Sequence, residues 1–455
     1  MKQFLAVDIG ASSGRHIVGR IENGKIVTEE VYRFPNGSKT KDGHLIWDVE
    51  NLFTEVKKGI AAAVERCGQI ESLSIDTWGV DYVLMRGENE IYPCYAYRDG
   101  RTENAIRKVH ALVPFEALYA KTGIQFQPFN TIYQLYADQQ GGRLEGATDF
   151  LMLPEYLLYK LTGRKVCEYT NATSTGLVNT KSHVYDAEII AALGLPPHLF
   201  EKEILQPGTA VGALKKEISE EVGCNMTAVL CATHDTASAV LAAPLRGDFC
   251  SPYISSGTWS LLGLEQPTAH TDAASRTENF SNEGGLGFTF RWQKNITGLW
   301  MLQSARKELG LNFAEAEKLA RESVCDTFVD CNDSVFLAPE SMCSAVRERA
   351  GALTDGQLLR CIYDSLALCY KEALSAMAAK FERKFETLNI IGGGSQDLFL
   401  NERTAEIAGV QVIAGPAEAT ALGNLLVQMV AAGELSDMQE GRECIKNSFP
   451  LRTYQ

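Results

Sequence analysis

Neither of the common nucleotide signatures occurs in the 455 residues: there is no G-x-x-x-x-G-K-[ST] and no G-x-G-x-x-G, which excludes a P-loop and the usual dinucleotide fingerprint. Tyr97-Arg98-Asp99 is not followed by D-F-G, so the protein-kinase set is missing as well. Positive charge is scarce. Forty-three Lys and Arg against 57 Asp and Glu leave a net charge of −14, a field that repels nucleic-acid backbones and anionic lipid surfaces, and no nucleic-acid partner is expected. No apolar run reaches the ~20 residues a spanning helix needs, because polar residues such as His234, Asp235 and Asn424 interrupt the most apolar regions, so no membrane role is expected either. The opening segment meets Asp8 after four apolar residues, too soon for a secretory leader, and a cytoplasmic protein is expected. The 12 cysteines are dispersed, with no C-x-x-C pair and no His/Cys ligand spacing, which argues for packed thiols and against a zinc site.

What is present fits a soluble α/β protein. An apolar fraction of 45% with 22% charged residues matches globular composition, and the length exceeds what one core usually supports, so two domains are expected. Phe4 to Ile9 reads as a buried strand, Gly10 to Gly14 as a turn of small residues, and Arg15 to Ile21 as an alternating second strand. A third strand at Lys25 to Phe34 precedes a helix over Val49 to Cys67, with Leu52, Val56, Ile60 and Val64 on one face and Gly68 as its stop. Ile70 to Ile75 is the next strand. Near the middle the opening pattern returns: Tyr253-Ile254, the hydroxyl-rich turn Ser255 to Thr258, then Trp259 to Leu264. A duplicated fold is therefore expected. A helix over Asp355 to Phe385 leads to a strand at Leu388 to Ile391 and then to Gly392-Gly-Gly394, where backbone can approach a ligand closely.

Three turns of small residues, each after an apolar strand, offer backbone N–H groups and hydroxyls to phosphate oxygens. Each one alone is equally well a tight hairpin turn. Asp8 ends its strand directly before the first turn, where a carboxylate can hold Mg²⁺ beside phosphates or simply bond its own turn. Thr227 to Ala232 reads as a buried strand that delivers Thr233-His234-Asp235-Thr236 to its end, ahead of a helix over Ala237 to Ala243. Asp235 is there either as the N-cap of that helix or as a general base receiving a hydroxyl proton, with His234 as a hydrogen-bonding neighbour. Asp76, Trp78, Gly79 and Asp81 follow another strand and suit a polyol, or are a buried tryptophan with two capping acids.

Taken together, the chain resembles the FGGY carbohydrate kinases, and within them the members that act on L-rhamnulose. The resemblance runs from Phe4 to Met429. It is carried by Val7-Asp-Ile-Gly-Ala-Ser-Ser-Gly-Arg15, Asp76-Thr-Trp-Gly-Val-Asp81, Gly123-Ile-Gln-Phe-Gln-Pro-Phe-Asn130 and Glu168-Tyr-Thr-Asn-Ala-Thr173. His234-Asp-Thr-Ala-Ser-Ala-Val240, Ser255-Ser-Gly-Thr-Trp-Ser260, Lys294-Asn-Ile-Thr-Gly-Leu-Trp300 and Gly392-Gly-Gly394 extend it. One departure is Thr233, where the family pattern has Ser before His234. The resemblance implies two actin-like (ribonuclease H-like) ATPase domains with an interdomain cleft, residues 1–244 mainly for sugar and 245–455 mainly for ATP. It implies MgATP-dependent phosphorylation of the C1 hydroxyl of L-rhamnulose, giving L-rhamnulose 1-phosphate and ADP. Residue by residue, it places Ala11, Ser12, Ser13, Gly14, Arg15, Thr258, Gln303 and Gly393 on ATP, and Gly79, His234, Asp235, Thr236 and Asn295 on the sugar. Asp235 becomes the catalytic base and Asp8 a Mg²⁺ neighbour. The alternatives are a family member for another ketose or polyol, and an actin- or Hsp70-like ATPase that turns over ATP without any sugar.

Overall fold

The computed structural model describes residues 1–455 except Ala338. The chain divides into two compact units: residues 1–242, 266–292 and 420–448 form the first, and residues 243–265, 293–419 and 449–455 the second. Both are mixed α/β.

In the first unit the strand Phe4–Ile9 pairs antiparallel with Ser13–Glu22, which pairs antiparallel with Lys25–Pro35. On its other side Phe4–Ile9 runs parallel to Ser72–Thr77, and that strand runs parallel to Thr227–Val229. The register of Phe4 with Ser72 through Ile9 with Thr77 fixes the fourth strand two residues later than the sequence pattern places it, because its length is set by its six-residue partner. The helix Val49–Cys67 has the expected bounds: Asp48 accepts a hydrogen bond from Asn51 N–H at 3.0 Å, and Leu52, Val56, Ile60 and Ala63 are buried against the sheet. Gly68, at φ +78, ends it.

The second unit repeats the order. Tyr253–Ser256 pairs antiparallel with Trp259–Gln266 and parallel with Thr387–Ile391, which in turn runs parallel to Gln411–Ala414. A hairpin whose first strand gains parallel neighbours from later in the chain is thus built twice, as the recurring pattern predicts. Both turns are tighter than expected: Ser13 and Gly14 already belong to a strand, as do Ser255 and Ser256, leaving Gly10-Ala-Ser and Gly257-Thr258 as connections. The long helix spans Asp355–Lys380, five residues short of the expected end. Glu382 adopts φ +49 and Arg383 N–H bonds back to Ala378 O at 2.9 Å, a reversal made without the glycine that would have marked it.

Among the described residues, no helix is long and apolar enough to cross a membrane.

Candidate active site

The parallel strands of the first unit end together and bring several of the expected site residues to one edge. Asp8 sits one residue from the end of Phe4–Ile9, cross-strand from Arg15 on one side and from Asp76 on the other. Thr77 forms a parallel bridge with His234, which brings Asp235 to the same edge. Ligand sites lie at such carboxyl ends of parallel strands.

The expected strand through Ala232 stops at Val229. Beyond it side chains supplement the remaining backbone bonds, among them Thr77 N–H to Thr233 O at 3.0 Å. Cys231 N–H bonds Ser74 Oγ at 2.8 Å, and Thr233 N–H and Oγ1–H bond Glu168 Oε2 at 3.1 and 2.6 Å. Glu168 also accepts from Thr170 N–H, Thr170 Oγ1–H and Asn171 N–H at 2.8, 2.7 and 3.1 Å. It is fully buried, and burial raises its carboxyl above the ordinary value despite these donors. One carboxylate therefore ties the helix Tyr169–Ser174 to the segment that presents His234 and Asp235.

Asp235 is not the N-cap. The helix runs Asp235–Ala242, His234 O accepts the first bond from Ser238 N–H at 3.0 Å, and Asp235 lies inside the first turn. Its Oδ1 accepts from Thr236 N–H at 2.5 Å and Thr236 Oγ1–H at 3.2 Å, and lies 3.5 Å from His234 Nε2. A capping residue reaches the N–H two or three positions on, whereas this carboxylate reaches only the next residue. About a third of its side chain is exposed. Burial raises its carboxyl, with the positive influence of His234 opposing and the negative charge of Asp8 adding.

Gly79 adjoins this group: a Cβ there would stand 3.1 Å from Ser174 Oγ and 3.2 Å from His234 Nε2, so glycine leaves the space before the imidazole open. Asp8 Oδ2 accepts from Arg15 Nε–H at 2.9 Å and Nη2–H at 2.8 Å. Asp76 is fully buried, with Oδ2 accepting from Asn424 Nδ2–H at 2.6 Å and Oδ1 without a partner. Burial, reinforced by Asp8, pushes Asp76 well above the usual carboxylate range. Asp81 does not fit the polyol reading, because its oxygens are taken by Trp47 Nε1–H at 2.6 Å, Trp78 Nε1–H at 2.8 Å, and by Tyr97 N–H and Gln134 Nε2–H at 3.2 Å. It is a scaffold acid.

Ala11, Ser12 and Ser13 line the first turn, half-buried or exposed, whereas Gly14 is buried under the Phe34 ring, where no Cβ fits. The remaining expected residues belong to the second unit. Thr258 O accepts from Trp300 N–H at 3.2 Å, so the turn is built onto the start of the helix Trp300–Glu308, which carries Gln303 one turn in. Gly392 and Gly394 press on Ser256, which joins the glycine turn to the hydroxyl turn. Gly393 is exposed, with nothing within 4 Å of the position of a Cβ. Asn295 lies half-buried on Phe290–Thr297, its Oδ1 without a partner. Among the described residues no group of three or more His, Cys, Asp and Glu has the geometry to hold a metal ion.

Sequence reasoning passed over Glu283 and Arg291, which stand against His234. Arg291 Nη2 is 3.1 Å from His234 Nδ1 and 3.0 Å from Glu283 Oε2. No local motif marks either residue, since only the fold brings positions 49 and 57 residues downstream beside the histidine.

Residues 3–242 match the N-terminal domain, and residues 252–432 the C-terminal domain, of the FGGY family of carbohydrate kinases. A rhamnulokinase of Oceanobacillus iheyensis is 42% identical over 99% of this chain and 97% of its own length. A rhamnulokinase of Enterococcus faecalis is 43% identical, with coverage of 100% and 94%. Among solved structures, a gluconate kinase and a ligand-bound xylulose kinase from Lactobacillus acidophilus each superpose with a TM-score of 0.82 at 18% identity, over 100% of this chain and 93% and 94% of theirs. At that identity the likeness is one of fold alone.

Proposed function

The chain belongs to the FGGY family of carbohydrate kinases, and we propose that it transfers the γ-phosphoryl group of ATP to the C1 hydroxyl of L-rhamnulose. The observation that carries the reaction is the state of Asp235: Oδ1 is fixed by Thr236 while Oδ2 accepts no bond from the described residues, at the strand ends where Asp8, Arg15 and His234 also converge. The full-length identity to two rhamnulokinases supports the sugar. That sugar is neutral. Asp235 Oδ2 receives the hydroxyl proton as the oxygen attacks phosphorus, and the raised carboxyl makes it a stronger base than an ordinary aspartate.

Phosphoryl transfer needs positioning and charge compensation more than covalent help. Gly79, His234, Thr236 and Asn295 are the proposed sugar contacts. Ala11 to Arg15, Thr258, Gln303 and Gly393 are the proposed ATP contacts, since turns of small residues offer N–H and hydroxyl groups to phosphate oxygens. Mg²⁺ supplies charge neutralisation on the phosphates when bound. It keeps several waters and takes one or two carboxylates, so Asp8 suffices as its protein neighbour, and the negative charge of Asp8, which adds to burial in raising Asp76 and Asp235, marks an acid set that a cation relieves.

The test is ADP release with MgATP over L-rhamnulose, D-xylulose, glycerol and gluconate. L-rhamnulose gives the highest kcat/KM, and related ketoses trail by about 10–200-fold, the range one small group in a pocket provides. Equal kcat/KM on any of the other three refutes the assignment.

A further inference from the structure

His234 can serve a sugar hydroxyl as donor or as acceptor, according to which ring nitrogen holds the proton, and that is set by what the other nitrogen meets. The side chain is 11% exposed and meets two buried residues. Arg291 donates Nε–H to Gly284 O at 3.1 Å and directs Nη2, which has two hydrogens, at Glu283 Oε2 (3.0 Å) and His234 Nδ1 (3.1 Å). A guanidinium has no acceptor atom. With a proton on Nδ1, two N–H groups would oppose each other across 3.1 Å in a site where Arg291 is 1% exposed. Glu283 Oε2 is also 3.3 Å from Nδ1 and pulls the other way, over a longer distance than the 3.1 Å from Nη2.

We propose that the buried Glu283–Arg291 pair is a positioning device that holds His234 as the Nε2–H tautomer, so that the imidazole acts as a donor towards the sugar. Glu283 aims the guanidinium, the guanidinium occupies Nδ1, and the proton is left on Nε2. That nitrogen is the one 3.5 Å from Asp235 Oδ1 and beside the open face of Gly79. Asp235 Oδ1 is held by Thr236 N–H and Oγ1–H, which leaves Oδ2 as the oxygen that takes the hydroxyl proton. Arg291 and Glu283 touch neither reactant in this scheme; they act through His234.

The test uses the ¹⁵N-labelled, ligand-free full chain. Long-range ¹H–¹⁵N spectra report each imidazole nitrogen, and His234 is identified among the seven histidines by the signals lost in His234→Gln. The wild type shows a protonated Nε2 and a bare Nδ1; the reverse tautomer overturns the proposal without any further variant. Arg291→Gln leaves Glu283 facing Nδ1, moves the proton to Nδ1, and lowers kcat/KM for the sugar by about 10–100-fold, the loss seen when the partner that orients a ligating histidine is removed. KM for ATP stays within about two-fold. Adding Glu283→Met removes the competing acceptor and recovers at least about five-fold of that loss, whereas a double variant no better than the single one contradicts the proposal. Retention of the Nε2 proton in Arg291→Gln also contradicts it. If Arg291→Gln does not fold, the wild-type spectrum decides alone. The kinetic arm rests on the sugar-kinase reading, while the spectrum does not, so failure of the two can be told apart.

Discussion

Replacing Glu168 with Gln tests whether one buried carboxylate holds the catalytic segment in place. Five donors converge on it, four of them on Oε2: Thr170 Oγ1–H, Asn171 N–H, Thr233 N–H and Thr233 Oγ1–H, with Thr170 N–H on Oε1. Two effects of the substitution compete. Removing the charge weakens the four bonds but also removes its burial cost, and the raised carboxyl shows that burial outweighs the donors, so loss of charge is not itself damaging. The misfit remains. With its carbonyl placed at Oε2, the amide NH₂ confronts Thr170 N–H at 2.8 Å, and a buried donor left unsatisfied costs about 1–3 kcal/mol. Because two-domain unfolding is not guaranteed to be two-state, the assay is amide hydrogen exchange on peptides covering 168–175 and 230–242, with kcat at saturating substrates. We expect faster exchange in both peptides and a kcat at least about ten-fold lower, since Asp235 hangs from Thr233. Thr233→Ser keeps both donors and stays within about three-fold of wild type, while Thr233→Val loses the 2.6 Å bond and follows Glu168→Gln. Unchanged exchange and turnover in Glu168→Gln would refute the anchor.

Other substitutions separate packing from function. Gly257→Val and Gly393→Val add a side chain where a Cβ meets only Trp259 O at 3.9 Å or nothing within 4 Å, so both variants fold; calorimetry should show ATP affinity down at least about ten-fold and sugar affinity within two-fold. Full ATP affinity in either would reduce that turn to a hairpin. Glu155 is buried and pushed up to about 8, mainly by burial, so between its unfolded value near 4.5 and 8 the folded chain holds a proton the unfolded chain has lost. Stability therefore falls as pH rises through that window, by up to about 1.4 kcal/mol per unit, and Glu155→Gln gains on the wild type by the same slope in amide hydrogen exchange of the residues around it, corrected for the intrinsic rate, at pH 5, 6.5 and 8. A pH-independent difference would contradict the burial argument. Asp235, raised by burial above the ordinary aspartate value and proposed as the base, should give kcat/KM an acid limb above that ordinary value, with activity lost as pH falls through it; a profile flat down to pH 4 would contradict the role.

The sequence pattern reveals elements whose signal is local. Period-two and period-3.6 apolar spacing locates both hairpins and the helix Val49–Cys67 to within a residue or two, since burial against one sheet face dictates it. Ends set by partners are harder to read. The strand after Thr227 stops where Ser74 and Glu168 supplement the remaining backbone bonds, and the long helix ends at Lys380 by a reversal through Glu382 in place of glycine. For the site, Asp8, Gly79, His234 and Asp235 stand out because each follows an apolar strand in a cluster of small or polar residues. Glu283 and Arg291 have no such context, being ordinary charged residues on strands until the fold buries them beside an imidazole. Asp81 shows the opposite failure: a suggestive acid next to a tryptophan, consumed by four protein donors.

The central claim is that Asp235 accepts the proton of the sugar hydroxyl. Asp235→Asn preserves the size of the side chain and can still accept from Thr236 N–H through its carbonyl, so the helix and both ligand sites should survive. The measurement is kcat for L-rhamnulose phosphorylation in this variant, alongside ATP and sugar affinities by calorimetry. The account predicts that kcat falls by at least about 10²-fold while both affinities stay within a few-fold of wild type. Near-normal turnover, or activity lost only together with binding, would contradict it.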